Sequence, residues 1–150
     1  MPRPAYIVCC VSSVEDKETN MLSVFNVIEN IRGMTVQEAE EKAKTENKPL
    51  VIQTQELRIL CSFMLDEQES SDDLFDFELR FLPPEMEPIS VATHEFKIEK
   101  FFHRFKVKFQ GPLPTGEKTG VFWIEARAKK KENTEWVSQR YPIQLEIMKI

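Results

Sequence analysis

The sequence predicts an all-β protein: a two-sheet antiparallel β-sandwich, immunoglobulin-like in arrangement, with one short surface helix. Three observations point there. Apolar and polar residues alternate through run after run, the period-two signature of a half-buried strand. Eleven Phe stand beside only four Gly, and large rings fill the space between pleated layers well. Turn signals divide the chain into about seven or eight short strands, the spacing of a sandwich.

Taken in order, AYIVCCVSSV and MLSVFNVIENI flank the charged turn EDKETN and read as an antiparallel hairpin. GMTVQEAEEKAKTENKP is the one helix. Thr35 and Glu38 have capping-box spacing, and Val36, Ala39 and Ala43 form a narrow apolar stripe. Glu38 with Lys42 and Glu40 with Lys44 are i,i+4 pairs, and Pro49 bars continuation. So thin a stripe suits a surface cover.

ELRILCSFML then places Leu57, Ile59, Cys61, Phe63 and Leu65 on one face. LFDFELRFL sets Phe75, Phe77, Leu79 and Phe81 opposite Asp76, Glu78 and Arg80. Between these strands DEQESSDD reads as a mobile, hydrated loop open to proteases. PPEMEP cannot lie in a central strand, because proline donates nothing to the ladder. Phe96 and Ile98 face inward on even numbers, whereas Phe101, His103, Phe105, Val107 and Phe109 do so on odd ones. A bulge or corner is therefore expected near Glu99 and Lys100. GPLPTGEKTG is a connection, and VFWIEARA and YPIQLEIMKI close the sequence as a strand pair joined by KKKENTE. No repeat or low-complexity linker breaks residues 1–150, which are read as a single β-sandwich domain.

Twenty Lys and Arg against 25 Asp and Glu leave a formal charge of −5, a field that opposes polyanions. No apolar run approaches the roughly 18 residues of a membrane span. MPRPAYIVCCVSS is too short an apolar run, followed at once by acids, to act as a signal peptide. Three cysteines, two of them adjacent at Cys9 and Cys10, suit reduced thiols better than a disulfide framework. The expected location is cytoplasmic.

The opening AYIVCCVSS, running through a turn into MLSVFNVIENI, and the closing GPLPTGEKTGVFWIEARA followed by YPIQLEIMKI resemble a family of small uncharacterised bacterial β-sandwich proteins, a domain of unknown function. The resemblance covers the two ends of the chain. It implies a compact cytoplasmic sandwich without a known catalytic residue, and it transfers no functional residue. TVQEAEEKAK departs from it, since a shorter, proline-bearing link is expected there.

The side chains that could carry chemistry are Cys, His and acidic residues. Cys9 and Cys10 point to opposite faces of a strand, so they cannot ligate a metal from one side. Only Cys61, His94 and His103 remain to complete a zinc set, and buried inert thiols are the plainer reading. His103 shares the parity of Phe105 and reads as a core-edge ring, His94 sits just past a loop, and no local signature marks a Cys–His nucleophile pair. The acidic loop 66–76, from Asp66 to Asp76, could gather carboxylates around calcium, yet it lacks the bend glycine and closing glutamate of an EF-hand.

In FFHRFKVKFQG, Arg104, Lys106 and Lys108 project from one face and Phe105, Val107 and Phe109 from the other. A single-stranded nucleic-acid platform needs rings and cations on one exposed surface. Segregated, they describe a solvated, salt-laced sheet face, in which Asp76 and Glu78 could pair with these cations if the two strands are neighbours.

The expectation is a non-enzymatic module binding a protein partner through a sheet face, edge or loop. No catalytic, cofactor or metal residue is assigned, no nucleic acid or membrane is engaged, and the state is a monomer or weak homodimer. The alternative is a small hydrolase-like or metal-dependent activity at a loop end of the sandwich.

Overall fold

A computed structural model describes residues 1–150 except Asn20, Val36, Pro49, Leu50 and Ile150, and leaves aside the side chains of Met34, Thr35, Gln37, Glu38, Ala39, Gln53 and Lys149. Along the chain run β1 (Arg3–Glu15), β2 (Leu22–Val27), β3 (Asn30–Thr35), α1 (Gln37–Thr45), β4 (Val51–Gln53), β5 (Leu57–Met64), β6 (Phe75–Leu82), β7 (Ile89–Phe96), β8 (Phe102–Phe109), β9 (Pro112–Pro114), β10 (Gly120–Lys130) and β11 (Val137–Lys149). The first sheet has the order β2-β1-β5-β8 and the second β3-β11-β10-β6-β7, with β4 and β9 forming a separate ribbon.

The connectivity is that of an immunoglobulin-like sandwich. β5 pairs with β8 in one sheet, while β6, which follows β5 in sequence, pairs with β10 in the other. The chain thus crosses between the two main sheets five times, at β2 to β3, β3 to β5, β5 to β6, β7 to β8 and β8 to β10, and such Greek-key connections interlock the layers. One pairing corrects the antiparallel expectation: β3 runs parallel to β11, with Ile31 opposite Leu145. The cause lies in MLSVFNVIENI, read as one strand. It splits at Ile28 and Glu29, where the chain leaves the first sheet and enters the second. Tyr141 Oη donates to the Ile28 carbonyl at 2.8 Å, and the Gln144 amide donates to that of Glu29, pinning the crossover.

Strand parity places the core as the alternation requires. Leu57, Ile59, Cys61 and Phe63 of β5 pack between the sheets with Phe75, Phe77, Leu79 and Phe81 of β6. Ala126 and Ala128 of β10 lie opposite Leu79 and Phe77, so small residues leave room where rings cluster. Phe105 stacks on Phe77 with centroids 3.9 Å apart and meets Phe96 edge-on at 4.8 Å. The corner expected near Glu99 and Lys100 is the crossover from β7 to β8. Phe101, inward by parity, falls in that corner and is 80% exposed.

The helix is a surface element, but its end differs from expectation. Asn47 takes a left-handed conformation (φ 53°), with Lys48 N donating to Ala43 O and Asn47 N to Lys44 O. This Schellman-type stop closes the helix before Pro49 is reached. Pro49, the Thr35–Glu38 capping box and the Val36 and Ala39 positions lie outside the described residues. Lys44 pairs with Glu117 at 3.6 Å.

Candidate functional site

The β1–β2 hairpin is the least ordinary part of the molecule. β1 pairs with β5 only as far as Cys10, opposite Arg58, and its remainder pairs with β2. The stretch from Cys10 to Glu15 can span about 16 Å. Glu15 nevertheless reaches Arg104 of β8 at 3.3 Å, and Arg104 also donates to Tyr6 Oη at 2.8 Å. β8 lies two places from β1, and Arg104 lies level with Ser62, back toward the start of β1. The hairpin therefore folds back over the outer face of the first sheet. Under it Cys10, Leu60 and Ser62, which by parity belong on that outer face, are almost wholly buried.

The hairpin has two faces of its own. Ser13 opposes Val24 and Glu15 opposes Leu22 on the side turned to the sheet. Ser12 opposes Phe25 and Val14 opposes Ser23 on the side turned to solvent. There Val14 is 58% exposed, Phe25 49% and Val27 45%, with Met21 beside them at the turn. Apolar side chains grouped in water in this way are uncommon on the surface of a monomeric protein.

β2 is also a sheet edge, and edges expose unpaired backbone groups that proteins normally guard. β8, the opposite edge of the first sheet, carries Arg104, Lys106 and Lys108. β7 has a bulge in its register opposite Leu79 and Arg80 and ends in Glu95 and Phe96. β3 carries the charged Arg32, paired with Glu146 at 2.8 Å, and on one of its faces Ile52 of β4 packs so closely that a Cβ at Gly33 would lie 2.7 Å from Ile52 Cγ2. β2, LSVFNV, has no charged residue. Only Asn26, at φ 54°, interrupts it.

The pairing expected for the basic strand is corrected. Arg104, Lys106 and Lys108 do share one face, but Asp76 and Glu78 stand on β6 of the other sheet. The salt lattice is there instead. Asp76 meets Lys129 at 3.3 Å, and Glu78 accepts from Arg127 Nε at 2.7 Å. Glu125 receives Arg80 Nε at 2.9 Å and Arg140 Nε at 2.8 Å, and Lys131 meets Glu95. Burial raises the Glu125 pKa, but the bonds and charges of Arg80 and Arg140 outweigh it and hold the carboxyl below its usual range. Trp136 lies under Arg127, its ring centroid 4.1 Å from the guanidinium carbon.

At the side of the sandwich, edge strands β7 and β8 leave an open groove of about 580 Å³ between His94, Phe96, Lys97, Phe102 and His103. His94 lies within β7, not just past a loop. The His103 ring sits 4.7 Å from that of Phe105 and 5.2 Å from that of Phe96. Burial, then the nearby His94, lowers the His103 pKa, with Glu99 opposing.

The Cys, His and acidic-loop set does not come together. Burial pushes the thiols of Cys9 and Cys61 up to about 12 and also raises that of Cys10, which makes them poor nucleophiles. The acidic loop is more tightly organised than a mobile turn. Its carboxylates accept from the loop's own backbone: Asp66 from Glu67 N, Glu69 from Asp66 N, Asp73 from Ser70 N. These bonds, reinforced by Arg3 on Asp66 and Lys130 on Asp73, hold both Asp pKa values low. Among the described residues no three His, Cys, Asp or Glu side chains gather as a metal-binding group, and no helix is long and apolar enough to cross a membrane.

The exposed apolar face of the hairpin escaped the sequence reading. Its signal was Phe25 and Val27 sharing a parity in a strand without charge, but alternation alone cannot say which face of a hairpin meets solvent.

No family model and no curated protein matches the chain. Among solved structures, the superoxide reductase (neelaredoxin) from Ignicoccus hospitalis is similar at 14% identity, over 75% of this chain and 94% of that one, with a TM-score of 0.41.

Proposed function

We propose that the protein is a non-catalytic interaction domain that docks a protein partner on the outward face of the β1–β2 hairpin. The observation that carries this reading is the grouping of Val14, Met21, Phe25 and Val27 in water on one element, beside an uncharged sheet edge. Strand addition at such an edge supplies backbone hydrogen bonds, and the apolar side chains supply burial. The free cysteines suit a reducing compartment, so the cytoplasm is the proposed location.

The test is site-specific photocrosslinking in cells, with a benzophenone side chain replacing Phe25 in one variant, Phe101 in a second and Trp123 in a third. Crosslinks to protein are expected at position 25 and not at the other two. Crosslinking at 101 or 123 with none at 25 would overturn the reading.

A further inference from the structure

One cross-strand row of the first sheet joins the hairpin to the opposite edge. Val27 of β2 lies opposite Cys10 of β1, Cys10 opposite Arg58 of β5, and Arg58 opposite Lys108 of β8. Residues directly opposite share a face, so the whole row belongs to the outer face, with Phe25 two places from Val27 and Lys106 two places from Lys108. Three strand spacings separate its ends, about 14 Å. Exposed apolar side chains thus stand at one end and the exposed Lys106 and Lys108 at the other.

These two lysines are the cations that the fold leaves over. Among the described residues, Arg32, Arg80, Arg127, Lys129, Lys130 and Arg140 on the strands of the second sheet each meet a carboxylate. In the first sheet Arg3, Arg58 and Arg104 do so as well, and Lys106 and Lys108 do not. Glu56, just before β5, is already shared between Arg58 at 3.5 Å and Gln110 at 2.8 Å. In a chain of formal charge −5, two unmatched cations side by side reverse the local sign and attract carboxylates.

We infer that the protein docked on the hairpin face is acidic where it overlies β8: its apolar side chains cover Phe25 and Val27, and its carboxylates, about 14 Å further on, meet Lys106 and Lys108. The inference rests on the interaction reading above and adds the chemistry of the partner. The same surface disfavours the other occupants. A second copy seated about a two-fold axis would set Lys106 and Lys108 against their own counterparts. Single-stranded nucleic acid needs rings beside cations for its bases to stack on, whereas Val14 and Val27 offer none. An anionic membrane would meet Asp16 and Glu18, which sit in the hairpin turn beside Val14 and Met21, and like charges repel there.

The experiment selects peptides of about twelve residues from a random phage-displayed library on the immobilised full chain, since such a peptide spans about 40 Å when extended and can reach both ends of the row. Enriched peptides should combine carboxylates with apolar residues. Fluorescence anisotropy of the most enriched peptide should show binding at least about tenfold weaker to Lys106→Glu combined with Lys108→Glu, because like charges then face one another. The salt dependence of binding should shrink in that variant. Lys42→Glu combined with Lys118→Glu, the same change of net charge elsewhere, should bind like the parent, and far-UV circular dichroism shows that each variant is folded. Peptides without carboxylates, binding indifferent to Lys106 and Lys108, or no enrichment at all overturns the inference. A peptide that binding to Phe25→Ser loses and the double glutamate variant keeps sinks this inference while leaving the hairpin reading intact. Flotation with phosphatidylserine and phosphatidylcholine vesicles, or a dimer in sedimentation equilibrium, abolished in either case by the double glutamate variant, assigns the lysines to a membrane or to a second copy and overturns it likewise.

Discussion

At the scale of single residues, burial and partner charge decide how this protein responds to acid. His103 is half-buried between Phe96 and Phe105, and burial followed by the nearby His94 lowers its pKa. An unfolded histidine titrates near about 6.5. Below that value the unfolded chain binds a proton that the folded chain resists. The stability contributed by neutral His103 is thus complete above about pH 6.5 and lost as the pH falls through the folded value. The depressed carboxylates, Glu125 among them, act in the same direction but only below about pH 4.3. Melting temperature should therefore drop between about pH 7 and about pH 5, and His103→Gln should flatten that segment while leaving the steeper loss below about pH 4.5. An unchanged profile in the variant would assign the drop elsewhere. The inward parity of Phe105 was legible from the alternation of HRFKVKF. The core-edge place of His103 was legible from the same parity, but its contact with Phe96 was not, because β7 and β8 belong to different sheets.

At the scale of elements, the fold depends on close approaches that hydropathy does not reveal. Gly33 of β3 lies under Ile52 of the β4–β9 ribbon, where a Cβ would sit 2.7 Å from Cγ2 and 2.8 Å from Cδ1. Ile52 is buried and β-branched, so it cannot swing aside. Gly33→Ala should cost about 1–3 kcal/mol, the usual range for overpacking. Denaturant titration checks this, and Gly33→Ala combined with Ile52→Val should recover part of the loss. A neutral Gly33→Ala would mean that the ribbon is not seated on β3. The sequence reading found most strands and their inward faces. It missed the division of MLSVFNVIENI because no glycine or proline marks Ile28 and Glu29, where the backbone changes sheets. It also placed the helix stop at Pro49, beyond Asn47, where the left-handed turn occurs.

At the scale of the whole molecule, one apolar cluster joins both sheets, with Cys9 and Cys61 from the first and Phe77 and Ile124 from the second. A shared core predicts one cooperative transition. Trp123 and Trp136 both report on the second sheet and its turn, whereas the three buried thiols belong to the first. In urea, tryptophan fluorescence, far-UV circular dichroism and thiol labelling should give coincident midpoints. Thiol exposure ahead of the fluorescence change would show the first sheet opening by itself.

What the sequence by itself determined is the alternation: which side chains of a strand turn inward, that the chain is all-β, and that its rings fill a sandwich. Those follow from strand geometry and the transfer of apolar groups from water, both local to a few residues. The tertiary structure alone decided which strands are neighbours. The same period-two pattern fits many pairings, so the sequence could set Asp76 and Glu78 beside Arg104 and Lys106 although they lie in different sheets. It likewise left open the parallel seat of β3 and the fold-back of the β1–β2 hairpin, which leaves Phe25 and Val27 in water. Pairing joins residues far apart in the chain, and the energy that selects one partner arises only when both are in place.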